Sequence, residues 1–226
     1  MRLRHSASTR MTDAKKIKRL YDEYFSKTYD QHMHATNHYA TMAKVIAQLR
    51  QHFGGRILDP CCGTGEPLLM IRELFKDDPR MLIANDFSAG MLEKARKKLE
   101  GSGVMPTTSD VMQMHFPDKS IPTIFCSYNF NWFVDKKAVA EELHRILIPN
   151  GMLLAVEEFE LQVSDSVFIP PHLRKMMLEI LEKTRLRGLD ELFDILLAAG
   201  FTYTERMIIE EIDKKHRMYG MVFQKP

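Results

Sequence analysis

Between Arg56 and Pro67 the chain reads Arg-Ile-Leu-Asp-Pro-Cys-Cys-Gly-Thr-Gly-Glu-Pro, which puts one acid, two cysteines and two glycines within a few positions of each other. Ile57 and Leu58 run into Asp59 as a short buried strand would. After the loop, Leu68, Leu69 and Ile71 supply the apolar positions of a helix, and Glu66 and Pro67 suit its first turn. Strand, glycine loop and helix in that order bind a nucleoside ligand at the carboxyl end of a parallel sheet. Gly63 and Gly65 leave the backbone open to a ligand, and Asp59 closes the strand with a carboxylate facing that crevice. The dinucleotide pattern GxGxxG needs glycines at 61, 63 and 66, where this chain has Cys61, Gly63 and Glu66. Glu66 brings negative charge to the helix start and Pro67 removes an amide donor, so a diphosphate is disfavoured. The expected ligand is a nucleoside carrying a cationic or zwitterionic group.

The elements that follow extend this crevice. Met81 to Asp86 reads as a second buried strand ending in an acid, and a carboxylate there can accept hydrogen bonds from both ribose hydroxyls in a bidentate grip. Ser88 can cap the next helix. Phe87 and Met91 either pack on the base of the ligand or belong to the core. Met105 to Ser109 is a weak third strand closed by Asp110 and Val111. Ile121 to Tyr128 is a fourth, despite Pro122 near its start, and leads into Asn129-Phe130-Asn131-Trp132-Phe133. Trp132 and Phe130 line a flat apolar pocket or fill the core. Val139, Ala140, Leu143, Ile146 and Leu147 form a helical stripe. Pro149-Asn150-Gly151 ends it before a fifth strand, Met152 to Val156. Glu157 leaves that strand at the carboxyl end, either to meet a substrate or as a solvated acid.

As a set, these segments resemble the S-adenosylmethionine-dependent methyltransferases with the seven-strand, class I, Rossmann-like fold, of the small-molecule type. Their first motif reads like Leu-Asp-Leu-Gly-Cys-Gly-Thr-Gly, against Leu58-Asp59-Pro60-Cys61-Cys62-Gly63-Thr64-Gly65 here, with Cys61 at the first glycine place. Asp86 to Leu92 looks like the family's Asp-x-Ser-x-x-Met-Leu stretch, Phe116 to Ser120 like its Phe-Pro-Asp-x-Ser turn, and Leu147 to Leu153 like its Leu-Lys-Pro-Gly-Gly turn. Ala198-Ala199-Gly200-Phe201 resembles the entry to the sixth strand. Tyr21 to Asp30 looks like the aromatic lead-in before the first strand, whose helices fold over the cofactor. The resemblance implies S-adenosyl-L-methionine as cofactor and S-adenosyl-L-homocysteine as product. It implies that Asp59 orients the methionine end; Cys61 either sits close to that end or forces a different local backbone, and Tyr29 either lies near it or is a core aromatic of the cap. Asp86 would hold the ribose, and Asp110 the adenine amino group, with the amide of Val111 at a ring nitrogen. Gly63, Gly65, Phe87, Met91 and Tyr128 complete the implied cofactor set.

The acceptor side is less defined. His32, His34 and His38 cluster in the lead-in, and a continuous helix would put His34 and His38 on one face. They are surface histidines, or one of them takes the acceptor's proton. His38, Tyr29 and Glu157 are the candidates for acceptor handling. The segment after the fourth strand is not the Asn/Asp-Pro-Pro-Tyr box of nucleic-acid amino methylation. A net charge of +2 over 226 residues gives no overall basic surface for nucleic acid, and no apolar run approaches a membrane span. The early basic residues are followed by no apolar signal segment. Cys61, Cys62 and Cys126 make no CxxC pattern, so neither a metal site nor a disulfide framework is indicated, and a reduced, cytoplasmic setting is the simplest inference.

The expected architecture is a single α/β domain over 1–226, a three-layer sandwich with helices on both faces of a seven-strand sheet, order 3-2-1-4-5-7-6, the last strand antiparallel. Residues 1–13 are expected to be a disordered tail, 14–54 a helical cap, and 55–226 the core, with a lid insertion near 160–188. The expected function is methyl transfer to a small-molecule acceptor, whether at O, N or C, by a monomer or homodimer. The alternative is a module that binds the same cofactor for assembly or regulation without turnover.

Overall fold

A computed structural model of the protein describes residues 7–78, 80–159 and 171–226. Its centre is a sheet in the order β3-β2-β1-β4-β5-β7-β6, the order expected from the sequence. The strands are β1 (Ile57–Asp59), β2 (Leu82–Asn85), β3 (Met105–Thr107), β4 (Ile121–Ser127), β5 (Leu147–Glu157), β6 (Thr202–Glu211) and β7 (Arg217–Gln224). β1 to β5 pair in parallel, and β7 runs antiparallel to both β5 and β6. β1, β2 and the inner part of β5 are buried on both faces, which is why they read as continuous apolar runs.

Strand alternation sends neighbouring residues into two different cores. Ile57, Leu82, Ala84, Phe125 and Leu154 meet α3 (His38–Gln48), α4 (Glu66–Leu74) and α5 (Ala89–Lys98) on one face. Leu58, Ile83, Ile124, Leu153 and Ala155 meet α6 (Lys136–Ile146) and α8 (Leu189–Ala198) on the other. The helices start as the sequence indicates. Ser88 Oγ accepts from the Met91 amide at 3.2 Å, and Asp135 Oδ1 accepts from the Ala138 amide at 3.2 Å.

The cap consists of α1 (Ala7–Leu20), one wide turn of π-helix (Tyr21–Phe25), α2 (Ser26–Ala35) and α3. Residues 7–13, expected to be a tail, form the start of α1. Asp13 is buried there and pairs with Lys183 at 3.0 Å. Of the expected lid, residues 160–170 lie outside the described residues. The remainder forms α7 (Pro171–Thr184) and the turn into α8. Met177 and Leu181 of α7 pack on Leu20 of α1. Each such buried apolar side chain stabilises the contact by about 2 kcal/mol, so α7 is anchored to the cap.

The helical break between α2 and α3 falls at Thr36-Asn37, with Asn37 in the left-handed region at φ 62°. It separates His34 from His38, which the expectation of one helix had put on a common face. His34 is exposed, and the imidazoles that face each other are His32 and His38, 6.3 Å apart.

Candidate functional site

The carboxyl ends of β1 to β4 and the inner side of the cap enclose a cavity of roughly 1010 Å³, counting the part open to solvent. The loop after β1 contributes Cys61, Cys62, Gly63 and Thr64. The ends of β2 and β3 contribute Asp86, Phe87, Asp110, Val111 and Met112. Ser127, Tyr128, Asn129, Trp132 and Phe133 come from the end of β4. Ile17, Tyr21, Tyr29, Met33, Tyr39 and Met42 come from the cap. A cavity with apolar walls and a few convergent polar groups is the usual form of a small-ligand site.

The most polar part lies at the end of β2. Asp86 Oδ2 accepts from the Gly63 amide at 2.8 Å, and Oδ1 accepts from the Ser88 amide at 2.8 Å. Burial pushes the Asp86 carboxyl up to about 6 against the pull of these two amides. Each oxygen keeps a further lone pair for a ligand hydroxyl. Gly63 has φ 55° and open space where a Cβ would project, so the backbone itself forms the wall there. Phe87, Val111 and Met112 offer apolar surface next to Asp86, and Asp110 stands exposed at the rim, its Oδ1 accepting from the Met112 amide. These residues fit an adenosyl group: hydroxyl acceptors, an apolar slot, and a loop with nothing in the way.

Of the residues singled out in the sequence, Tyr29, Cys61, Gly63, Asp86, Phe87, Asp110, Val111 and Tyr128 line this one cavity. Asp59, Gly65, Met91, His38 and Glu157 are not among its lining residues. Asp59 turns under the loop, where Oδ1 accepts from the Cys61 amide at 3.1 Å and Oδ2 is buried without a partner among the described residues. Burial pushes its carboxyl well above the usual carboxylate range. Gly65 serves packing instead: at φ 84°, an added Cβ would lie 2.9 Å from Leu99 Cδ1 of α5. Met91 is fully buried on the inner side of α5.

Glu157 is occupied by the protein. Its Oε1 accepts from the amides of Asn129 and Phe130 at 2.8 and 2.7 Å, and Oε2 accepts from Asn131 Nδ2 at 3.1 Å. Burial pushes Glu157 up to about 8 against these donors. It shapes the loop after β4 from behind. Asn131 passes the connection on, accepting from the Leu186 amide between α7 and α8. The next residue, Glu158, points to the opposite face by strand alternation. Its Oε2 lies 3.2 Å from His38 Nε2, while His38 Nδ1 faces Thr36 Oγ1 at 2.7 Å.

A second network, spread over distant positions, joins cap and loop. Lys98 of α5 donates to Asp30 at 2.7 Å, to Glu66 at 2.8 Å and to Thr64 at 3.1 Å. Asp30 also accepts from Tyr39 and Thr64. Burial opposes the Asp30 charge, but the donors, Lys98 foremost, outweigh it and hold its pKa below the ordinary value. Asp22 in the π turn accepts from Ser88 Oγ at 2.6 Å and from the Gly90 amide at 3.1 Å. Asp22 and Asp30 both stand in the Tyr21–Asp30 lead-in, but nothing local in that segment reveals partners on α5. Tyr21, Thr64, Tyr39 and Glu158 went unassigned for the same reason.

A family model described as a methyltransferase domain matches residues 57–151, from β1 into β5. Demethylmenaquinone methyltransferase of Thermus thermophilus is 34% identical over 104 residues, 45% of this chain and 46% of that protein. The enzyme of the same name from Geobacillus stearothermophilus is 26% identical over 180 residues, 71% of this chain and 76% of that protein. The chain thus spans less than half of the first relative and about three quarters of the second. A solved S-adenosylmethionine-dependent methyltransferase of Thermotoga maritima matches with a TM-score of 0.64 at 16% identity, over 91% of this chain and 100% of that one, a likeness of fold. The strand order, the loop after β1 and the matched domain agree with one another: the chain is similar in its β1–β5 region to methyltransferase domains and in fold to class I S-adenosylmethionine-dependent methyltransferases.

Proposed function

We propose that this chain transfers the methyl group of S-adenosylmethionine to a small, flat, mostly apolar acceptor of the quinol kind. One observation carries the reading: a single cavity runs from the acids at the ends of β2 and β3 to an aromatic compartment between β4 and the cap. Asp86 holds the ribose hydroxyls, Phe87 and Val111 flank the adenine, Asp110 meets its amino group at the rim, and the Gly63 backbone passes close to the ligand. The sulfonium supplies an already activated methyl group. The protein's work is then to align the acceptor in line with it and to exclude water. Ile17, Met33, Trp132 and Phe133 form an apolar compartment suited to both tasks. The named relatives act, by their names, on demethylmenaquinone, and an aromatic compartment of this kind accepts a quinol ring.

Two measurements test this. Calorimetry with S-adenosylhomocysteine should show one site per chain. Labelled S-adenosylmethionine should pass its methyl group to reduced demethylmenaquinone and not to a small aliphatic amine. Binding without transfer to any acceptor would instead support the assembly or regulatory role.

A further inference from the structure

Resting on the reading above, we propose that the Tyr128 hydroxyl is the acceptor-binding group of this site, and that it selects acceptors bearing an oxygen on a flat apolar ring. Tyr128 closes β4 and lines the cavity. Its hydroxyl is buried without a hydrogen-bond partner among the described residues. A buried phenolic hydroxyl left unsatisfied costs about 1–3 kcal/mol, and native structures leave few such groups. The backbone there is also strained, with φ 57° on a bulky aromatic residue, a conformation that persists where the surroundings force it and that concentrates at functional sites. The Tyr128 amide is fixed by the Val156 carbonyl at 2.8 Å. The surroundings thus fix the backbone from which the ring projects.

The surroundings indicate what the hydroxyl meets. An adenosyl group held by Asp86 lies at the β2–β3 side, so its sulfonium points toward β1 and β4. Tyr128 stands beyond that point, at the β4 side. The same cavity is lined by Met33, Trp132 and Phe133, surfaces that suit a hydrocarbon ring, and Tyr128 adds a hydrogen-bond donor to them. Behind the ring stand the imidazole of His38, 5.7 Å away, and its partner Glu158; His32 of α2 is next to His38. Tyr29, also in the cavity wall, faces it from α2. A hydrogen bond from Tyr128 to a ring oxygen satisfies the stranded hydroxyl and fixes the ring's rotation relative to the methyl group. A hydrocarbon ring of the same size leaves it stranded. Sites built around a donor discriminate against analogues lacking the acceptor far better than apolar pockets discriminate by size.

The test uses the S-adenosylhomocysteine complex of the full chain and two probes of nearly equal size, 1-naphthol and 1-methylnaphthalene. The intact protein should bind the naphthol about tenfold or more tightly than the methyl compound. Tyr128→Phe should abolish that preference while its melting temperature and its affinity for S-adenosylhomocysteine stay within a few-fold of the parent. Equal binding of both probes by the intact protein, or no binding of either, overturns the assignment. So does a Tyr128→Phe variant that loses S-adenosylhomocysteine, since Tyr128 would then belong to the cofactor. Failure of methyl transfer to reduced demethylmenaquinone, with the naphthol preference intact, would defeat the quinol reading alone.

Discussion

Asp86 and Glu157 are both buried carboxyls with raised pKa values, and their hydrogen-bond partners give them different work. Asp86 faces the cavity with acceptor capacity to spare. Ligand hydroxyls donate to its ionised form, so a bound adenosyl group lowers a pKa that burial has raised to about 6. Affinity for S-adenosylhomocysteine should be level above about pH 6 and fall up to tenfold per unit below it. Asp86→Asn should remove that dependence and weaken binding by about 10-fold or more, as expected for losing charge-assisted hydrogen bonds. Titration calorimetry between pH 5 and 8 reads both. Glu157 has all its bonds within the protein. Its folded pKa, about 8, lies above the unfolded value, so its contribution to stability is full below the ordinary carboxyl range and is lost as pH rises through about 8. Glu157→Leu strands two amides and the Asn131 side chain. It should cost about 3 kcal/mol or more in urea unfolding, and the deficit should shrink between pH 6 and pH 9.

Among the elements, the cap depends on α5 for its position. Gly90 sits where Asp22 passes: an added Cβ would lie 2.7 Å from the Asp22 carbonyl oxygen. Gly90→Ala should favour helix α5 itself by up to about 1 kcal/mol and yet push the π turn off its seat. Hydrogen exchange should quicken in 21–35 while the sheet stays protected. Lys98→Met should loosen the same segment from the other end, because Asp30 and Glu66 lose their cation. It should weaken S-adenosylhomocysteine binding about tenfold. This layer is also where the sequence was least legible. The strand, loop and acid repeats announced β1 and β2 because their chemistry is local in the chain. Asp22, Asp30 and Lys98 act across gaps of 66 to 68 residues, which periodicity does not reveal. The pair Glu157-Glu158 shows the limit at one residue. From the sequence, Glu157 is singled out as the one to reach a substrate and Glu158 has no role. Only the register of β5 decides that Glu157 turns toward the loop after β4 and Glu158 toward His38.

At the scale of the whole molecule, the sheet and the cap differ in what holds them. The sheet lies between two apolar cores and carries the long pairings of β4, β5 and β7. Of the cap, α3 is packed into the first of these cores through Met42, Val45 and Ile46, while α1, the π turn and α2 rest on a small third cluster at Leu20, on the Asp22 and Asp30 contacts, and on the walls of the cavity itself. A ligand filling that cavity therefore supplies contacts that α1, the π turn and α2 otherwise lack. At a hundredfold excess over its dissociation constant, S-adenosylhomocysteine should stabilise the protein by about 2.7 kcal/mol, a rise of roughly 5–10 °C in melting temperature for a chain of this size. The gain should not be spread evenly. Hydrogen exchange should slow most in 14–42, which hold the cap's wall residues, and in the loop 61–64, and change little in β6 and β7 at the far edge. If protection rose equally in all of these, the cap would be a fixed part of the fold with no share in holding the ligand. If it rose only in 61–64 and 86–91, the adenosyl site would close without the cap, and the enclosed acceptor compartment between Tyr128 and the cap would lose its physical basis.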